Sequence, residues 1–199
     1  MTLLALFLIL AYSIILHEIM HGWVARLCGD PTASRMGRLT LNPLPHVDPI
    51  GTVILPALLV ILKAPFFIGW ARPVPYNPVY FKRVRIGTFL VAAAGPATNL
   101  VLAAGFALCL KSFLPGEPFA TALFYGLSLN IMLALFNLIP IPPLDGSKML
   151  AMLLPAGIRR TYLAFGRWGF LLLMLLMYNG FLFQFILPLY RKALHLLLN

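Results

Sequence analysis

Residues 2–27 read TLLALFLILAYSIILHEIMHGWVARL. Leu3 to Leu16 carry no charge, and such a run wound as a helix advances about 20 Å into a hydrocarbon core about 30 Å thick. Gly29-Asp30-Pro31 then supplies a stop signal. The stretch reads as a first membrane helix that carries His17, Glu18 and His21 inside the bilayer, about two-thirds of the way across. No Lys or Arg precedes the apolar run, and His-Glu follows it without a small-residue cleavage site, so the helix is expected to stay in place rather than leave as a signal peptide.

The rest of the 199-residue chain fits a membrane setting, being 61% hydrophobic and only 10% charged, with a mean hydropathy of +0.94. So little polar surface cannot cover a water-soluble globule. Apolar runs at residues 88–110, 119–139 and 167–190 are each long enough to cross a bilayer. Helices satisfy their own backbone hydrogen bonds in lipid, and the alternating pattern of a membrane barrel is absent. The expectation is an all-α integral membrane protein, a polytopic helical bundle. It would form one domain over residues 1–199, with its core motifs in 1–150 and a C-terminal membrane region at 160–199.

A net charge of +10 does not make this a nucleic-acid binder, because the 15 Lys and Arg are dispersed between apolar runs rather than gathered on one face. They read as topology determinants and lipid-headgroup contacts. Cys28 and Cys109, near the end of one apolar segment and inside another, read as free thiols.

Between residues 28 and 87 the chain changes character. Breaker signals Asn42-Pro43, Asp48-Pro49, Pro73, Pro75 and Asn77-Pro78 surround an apolar stretch at 50–70, itself interrupted by Pro56, Lys63 and Pro65. Both flanks are basic, with Arg35 and Arg38 before and Arg72, Lys82, Arg83 and Arg85 after. If positive charge marks the cytoplasmic side, both flanks share it, and a re-entrant hairpin, buried against protein, satisfies that better than a span. Residues 88–110 then cross outward, 111–118 form an outer loop, and 119–139 return. Segments 144–155 and 162–198 follow, the latter divisible into a hairpin at Asn179-Gly180. The setting expected is a multi-pass protein of a prokaryotic cell membrane with its site toward the cytoplasm.

His17-Glu18-Ile19-Met20-His21 places two imidazoles four residues apart on one helical face, where both can converge on a metal, and puts a carboxylate beside the first, where it can act as a general base toward water. Ionisable groups at membrane depth are costly and need a shared reason. Packing or interfacial histidines, with Glu18 reaching toward headgroups, would be the ordinary alternative, and a third ligand decides between them. Asp145 is the best candidate, since a catalytic zinc takes three protein ligands of the His/Asp/Glu kind and keeps a position open. It follows an inward-running span and lies toward the same side as His17; Asp48 is its main competitor. As a helix N-cap, Asp145 would also be well placed, and the two roles do not exclude each other.

Several ordered motifs raise the specificity. They are His17-Glu18-x-x-His21; Asn42-Pro43 with His46-x-Asp48-Pro49-x-Gly51-Thr52; Gly69-Trp70-Ala71-Arg72-Pro73-Val74-Pro75; Gly95-Pro96-x-x-Asn99; and Asn137-x-x-Pro140-x-x-Pro143-Leu144-Asp145-Gly146. Over roughly the first 150 residues the chain resembles the site-2 protease family of intramembrane zinc metalloproteases, in its small form without a PDZ or CBS domain. The resemblance implies one zinc per chain bound by His17, His21 and Asp145, with Glu18 as the base, Asn137 close to the site, and regulated cleavage of transmembrane protein substrates. Homo-oligomerisation and a substrate-delivering membrane partner stay open.

Taken by themselves, the other polar residues carry two readings each. The amide of Asn137 could donate to a developing oxyanion, or bond the backbone that Pro140 frees. Asn99 reads first as polar glue between helices that Ala94 and Gly95 allow to approach. His46 and Asp48 could orient a ligand from behind, or shape a turn. A metal or proton transporter would also bury His, Glu and Asp, but along a pathway and with repeated halves rather than in one cluster. A non-catalytic scaffold would be expected to have lost the base, and Glu18 is present.

Overall fold

The computed structural model describes residues 3–63, 69–112 and 117–199. Its helices are α1 (Leu3–Leu27), α2 (Thr32–Arg35), α3 (Leu55–Ile61), α4 (Val84–Ser112), α5 (Glu117–Asn137), α6 (Asp145–Leu153), α7 (Ala156–Ala164), α8 (Gly166–Tyr178) and α9 (Phe181–Leu198). No strand occurs among the described residues. Among the described residues four helices are long and apolar enough to cross a membrane, at Leu4–Leu27, Val84–Ser112, Phe119–Asn137 and Phe181–Leu198. The chain is thus an all-α, multi-pass membrane protein. The expected start at Thr2 and residues 113–116 of the expected loop 111–118 lie outside the described residues.

Small residues at helical spacing decide how the helices meet. Buried Ala103 and Ala107 on α4 pack against buried Leu127 and Ile131 on α5, and α9 closes over them with Tyr190, Leu194 and Leu197. With no hydrophobic force between helices in lipid, such close approach and the packing it permits hold the bundle together. Large apolar side chains point the other way, toward where lipid would lie, as at Leu4, Phe7, Val101 and Leu108. A second cluster joins Leu59 of α3 to Leu173 and Met177 of α8 and to Leu182 and Ile186 of α9. Gly180, with φ +69°, takes the left-handed conformation that ends α8 and turns the chain into α9, as Asn179-Gly180 promised.

The irregular stretch between α1 and α4 is organised by its own backbone. Asp48 caps a turn of π-helix at Pro49–Ile54, accepting from the amides of Ile50 and Gly51. With α3 this apolar helical piece runs Pro49–Ile61, about 20 Å at 1.5 Å per residue and too short to span about 30 Å. The chain also comes back to where it left. The Trp70 amide donates to the Gly51 carbonyl at 3.1 Å, and Thr52 Oγ1 donates to the Trp70 carbonyl at 2.9 Å. Both ends of the segment lie side by side, the geometry of a re-entrant hairpin; its residues 64–68, Pro65 among them, fall outside the described residues.

Candidate metal centre

Three helices bring matching stripes together. On α1, Ser13, His17, His21 and Ala25 recur every four residues and are all buried; on α4 the stripe is Val91, Gly95, Asn99 and Ala103. Residues four apart share a helical face, so the two stripes meet residue against residue. At Gly95 the approach is closest. A β-carbon there would stand far inside van der Waals contact of the Nε2 atoms of both His17 and His21.

Asp145 arrives from the other end of the chain. After α5, the segment Leu138–Leu144 turns tightly enough that Gly146 packs directly on the carbonyls of Leu138 and Ile139, where no side chain would fit. Helix α6 therefore starts at Asp145 with that residue facing α1. Its Oδ2 lies 3.1 Å from His17 Nε2 and 3.1 Å from His21 Nε2. All three side chains are buried, at 7%, 7% and 5% exposure. The N-cap position of α6 falls on Leu144, which makes no side-chain cap, so Asp145 is not the cap its sequence position allowed; its carboxylate meets the histidines and, through the other oxygen, Oδ1, the Nζ of Lys148 at 3.1 Å.

The remaining imidazole nitrogens are also held. His21 Nδ1 lies 2.6 Å from the Val91 carbonyl, and a carbonyl only accepts, so that nitrogen carries a proton. His17 Nδ1 lies 2.6 Å from Asn99 Oδ1. Nε2 is therefore the nitrogen that each ring turns toward Asp145, where a lone pair and a carboxylate can face each other only with a cation between them. Pro96 interrupts the backbone ladder of α4 next to this point, having no N–H to give the Ala92 carbonyl. The ligand atoms of His17, Glu18 and His21 lie within 4.8 Å of one another. Two imidazole nitrogens, a carboxylate oxygen and a cradle that a single β-carbon would fill form a donor set that suits a borderline-soft divalent ion such as zinc. The Glu18 carboxylate is turned to a different partner, the Val74 amide, which donates to Oε2 at 2.9 Å.

Asn99 does more than join helices. Fully buried, it accepts from His17 and donates through Nδ2 to Asn130 Oδ1 at 2.9 Å. Asn130 in turn donates to Ser13 Oγ and to the Gly126 carbonyl, each at 2.9 Å. Interhelical hydrogen bonds in membrane proteins contribute only about 0.6 kcal/mol each on average. That is little return for burying two amides completely, and it favours an ordering role over a binding one. Asn130, Ser13 and Lys148 went unnoticed in the sequence; a polar residue four places from Gly126 in an apolar span, and another four before His17, were the available signals.

The other sequence candidates make their bonds elsewhere. Asn137, at the end of α5, donates through Nδ2 to the Leu133 carbonyl of its own helix at 3.0 Å. His46 Nε2 bonds the Thr40 carbonyl at 2.9 Å, and its own carbonyl accepts from the Arg72 amide. Asp48 caps the π-turn described above. None of these bonds reaches His17, His21 or Asp145.

Fold and site together describe a polytopic membrane protein whose helices enclose a His–His–carboxylate set with a second carboxylate beside it, the apparatus of a metal-dependent hydrolase. The model of peptidase family M50 matches residues 115–177, the span that holds Asn137 and Asp145. Similarity over the whole chain is to "Putative zinc metalloprotease YwhC" of Bacillus subtilis (strain 168), 40% identical over 96% of this chain and 84% of that protein. "Putative zinc metalloprotease Rip2" of Mycolicibacterium smegmatis is 32% identical over 83% of this chain and 63% of its own length. "Putative zinc metalloprotease MJ0611" of Methanocaldococcus jannaschii is 43% identical over 30% of this chain and 31% of its own. No solved structure matches. The chain belongs to peptidase family M50, the site-2 protease family, as its ordered motifs led one to expect. It is a metalloprotease, and its substrates are proteins.

Proposed function

We propose that the protein is a zinc-dependent endopeptidase that cuts transmembrane proteins within the bilayer in regulated intramembrane proteolysis, residues 1–199 acting as one domain. The observation that carries the reading is the convergence of His17 Nε2 and His21 Nε2, on a helix long and apolar enough to cross the membrane, on Asp145 Oδ2 at 3.1 Å each. His17, His21 and Asp145 hold one zinc. When bound, zinc acidifies water and polarises a peptide carbonyl. Asn99 and Val91 keep the two imidazoles aimed, and Lys148 holds Asp145 Oδ1 so that Oδ2 faces the histidines. Glu18 Oε2 takes a proton from water and passes it to the leaving amine, which balances the hydrolysis. Its bond with the Val74 amide sets where that carboxylate waits.

Asn137 ends α5 eight residues before Asp145 (145 − 137 = 8). A substrate carbonyl that enters beside Asp145 would find its amide as a donor once the bond to Leu133 is exchanged. The substrate must present an extended peptide, since a carbonyl bonded within a helix is closed to attack. Basic residues flanking the re-entrant segment support a site toward the cytoplasm, and relatives from bacteria and an archaeon support a prokaryotic cell membrane.

Zinc content of the purified protein tests the core of this. One zinc per chain is expected, absent from His17→Ala and Asp145→Ala and retained in Glu18→Ala. Glu18→Ala should fail to cleave a tagged single-span membrane protein that the wild type cuts in the same liposomes. Wild-type protein purified from zinc-replete cells without stoichiometric metal would overturn the reading.

A further inference from the structure

The chain of buried amides behind His17 has a direction, and that direction is set on α5. Asn130 Nδ2 faces the Gly126 carbonyl at 2.9 Å, and this carbonyl can only accept. The amide of Asn130 is therefore turned so that its oxygen faces Asn99. Asn99 must answer with its NH2, which turns its own oxygen toward His17 Nδ1. His17 then carries its tautomeric proton on Nδ1, and Nε2, 3.1 Å from Asp145 Oδ2, is the nitrogen whose lone pair a cation held between the two could take. Reversing any one amide reverses all of them. Asn130 would oppose its oxygen to the Gly126 carbonyl, Asn99 would offer an N–H to His17, and the His17 proton would move to Nε2, the position a metal needs.

We infer that Asn130 is a positioning residue for the metal site: it acts through Asn99 to hold His17 in the tautomer that can ligate a metal. Asn130 and Asn99 are both fully buried, and Ser13 Oγ, 3% exposed, takes the remaining N–H of Asn130 at 2.9 Å. Every hydrogen of the Asn130 amide and the oxygen that faces Asn99 are thus spoken for, in a setting where an unpaired polar group is expensive. The arrangement extends the familiar pattern in which a ligating histidine is oriented by the partner of its other nitrogen. Here that partner is itself oriented by a third residue on another helix. His21 needs no such chain, because its Nδ1 meets a backbone carbonyl that has one polarity only.

The inference rests on the zinc-site reading above. Its test is zinc affinity of the full-length protein in detergent, by competition with a chromophoric chelator, with helical circular dichroism and gel filtration to verify folding. Asn130→Leu removes the acceptor for Asn99 and should weaken zinc binding tenfold or more, outer partners of metal ligands typically being worth about 10–100-fold. Asn130→Asp, protonated where burial disfavours the charge, keeps an oxygen toward Asn99 and an O–H toward the Gly126 carbonyl, and should stay within about threefold of wild type, the conservative replacement restoring what Leu removes. Leu127→Ala, a cavity in the neighbouring α4–α5 core, should leave zinc affinity unchanged. If Asn130→Leu is not recovered folded, Asn130→Met, with a more adaptable apolar side chain, takes its place. Wild-type affinity in the Leu or Met variant overturns the inference, and so does an equal loss in Leu127→Ala, which would make packing the cause. His17→Ala separates the two levels: if it retains zinc, the metal-site reading itself has failed; if it loses zinc while Asn130→Leu does not, only the role of Asn130 has.

Discussion

His17, Glu18 and His21 leave α1 within little more than one turn, yet two different kinds of structure hold them. The histidines are fastened to helices: His21 to the Val91 carbonyl and His17 to Asn99, both on α4, with Asp145 brought up by α6. Glu18 is fastened to an irregular strap, through the amide of Val74. The strap is anchored separately. Its Trp70 and Arg72 amides go to the Gly51 and His46 carbonyls, its Arg72 carbonyl accepts from Arg38 at 2.8 Å, and its Asn77 amide goes to Asp30. The two histidines, which must keep one geometry, sit inside a long helix, and the third proposed ligand opens a shorter one. The group that must give and take a proton is held by a segment whose hydrogen bonds are few and individually replaceable. The comparison predicts that damage to the helical cage removes the metal, while damage on the strap side alters turnover and spares it.

The largest effect belongs to Gly95→Ala. The added β-carbon would lie against both Nε2 atoms, and α4 and α1 are too closely packed at their stripes to part without losing Asp145 as well. Zinc binding should fall more than about 100-fold, beyond the usual range for an outer partner, as judged by metal content after dialysis. Zinc retained by Gly95→Ala would mean the two helices slide more freely than a cage allows. Glu18→Gln comes next and tests the other side of the contrast. Its amide can still meet the strap, but it cannot accept a proton. Hydrolysis should drop by about 10²–10⁴-fold, the usual worth of a general base, with zinc content unchanged.

How far these contrasts could be read before the structure depends on what a sequence encodes. Positions four apart on one helix are legible, and they singled out His17 and His21 as proposed ligands; the need for a third ligand at the end of an inward span singled out Asp145. Basic flanks and interrupting prolines gave the hairpin, which the bonds between Trp70, Gly51 and Thr52 complete. Contacts between helices are different, because they depend on the rotation and register of each helix. Asn99 thus read as packing glue when it in fact touches a proposed metal ligand, and Asn130 gave no sign of belonging to the same chain. His46 and Asp48 were drawn toward the site by their chemistry alone, whereas their bonds shape the loop. The partner of Glu18 had no signature at all, because a backbone amide is the same at every residue.

Asn99 lets the cage be graded rather than broken. Asn99→Leu leaves His17 Nδ1 without its acceptor and should weaken zinc by about 10–100-fold, whereas Asn99→Asp, as a neutral acid, offers an oxygen to the same nitrogen and an O–H to Asn130 Oδ1 and should restore most of the affinity. Equal losses in the two variants would show that the amide contributes bulk rather than a directed bond.

The smallest effect is expected where the strap meets Glu18. Val74→Pro removes the only hydrogen of the amide that Oε2 accepts, and its neighbours Pro73 and Pro75 already hold the strap extended. Hydrogen bonds to charged groups contribute about 1.5–3 kcal/mol, but water that reaches the freed carboxylate would recover much of that, so the loss is one of orientation. A base free to swing away from its working position should cost roughly tenfold in turnover, measured on the same liposome substrate, with zinc affinity unchanged. The metal readout is what gives this variant its force. If zinc affinity falls together with turnover, the strap is part of the cage, and α1 is held in place from both sides. If turnover alone falls, Glu18 and the histidines are fixed independently, and the site is built from a rigid half and an adjustable one.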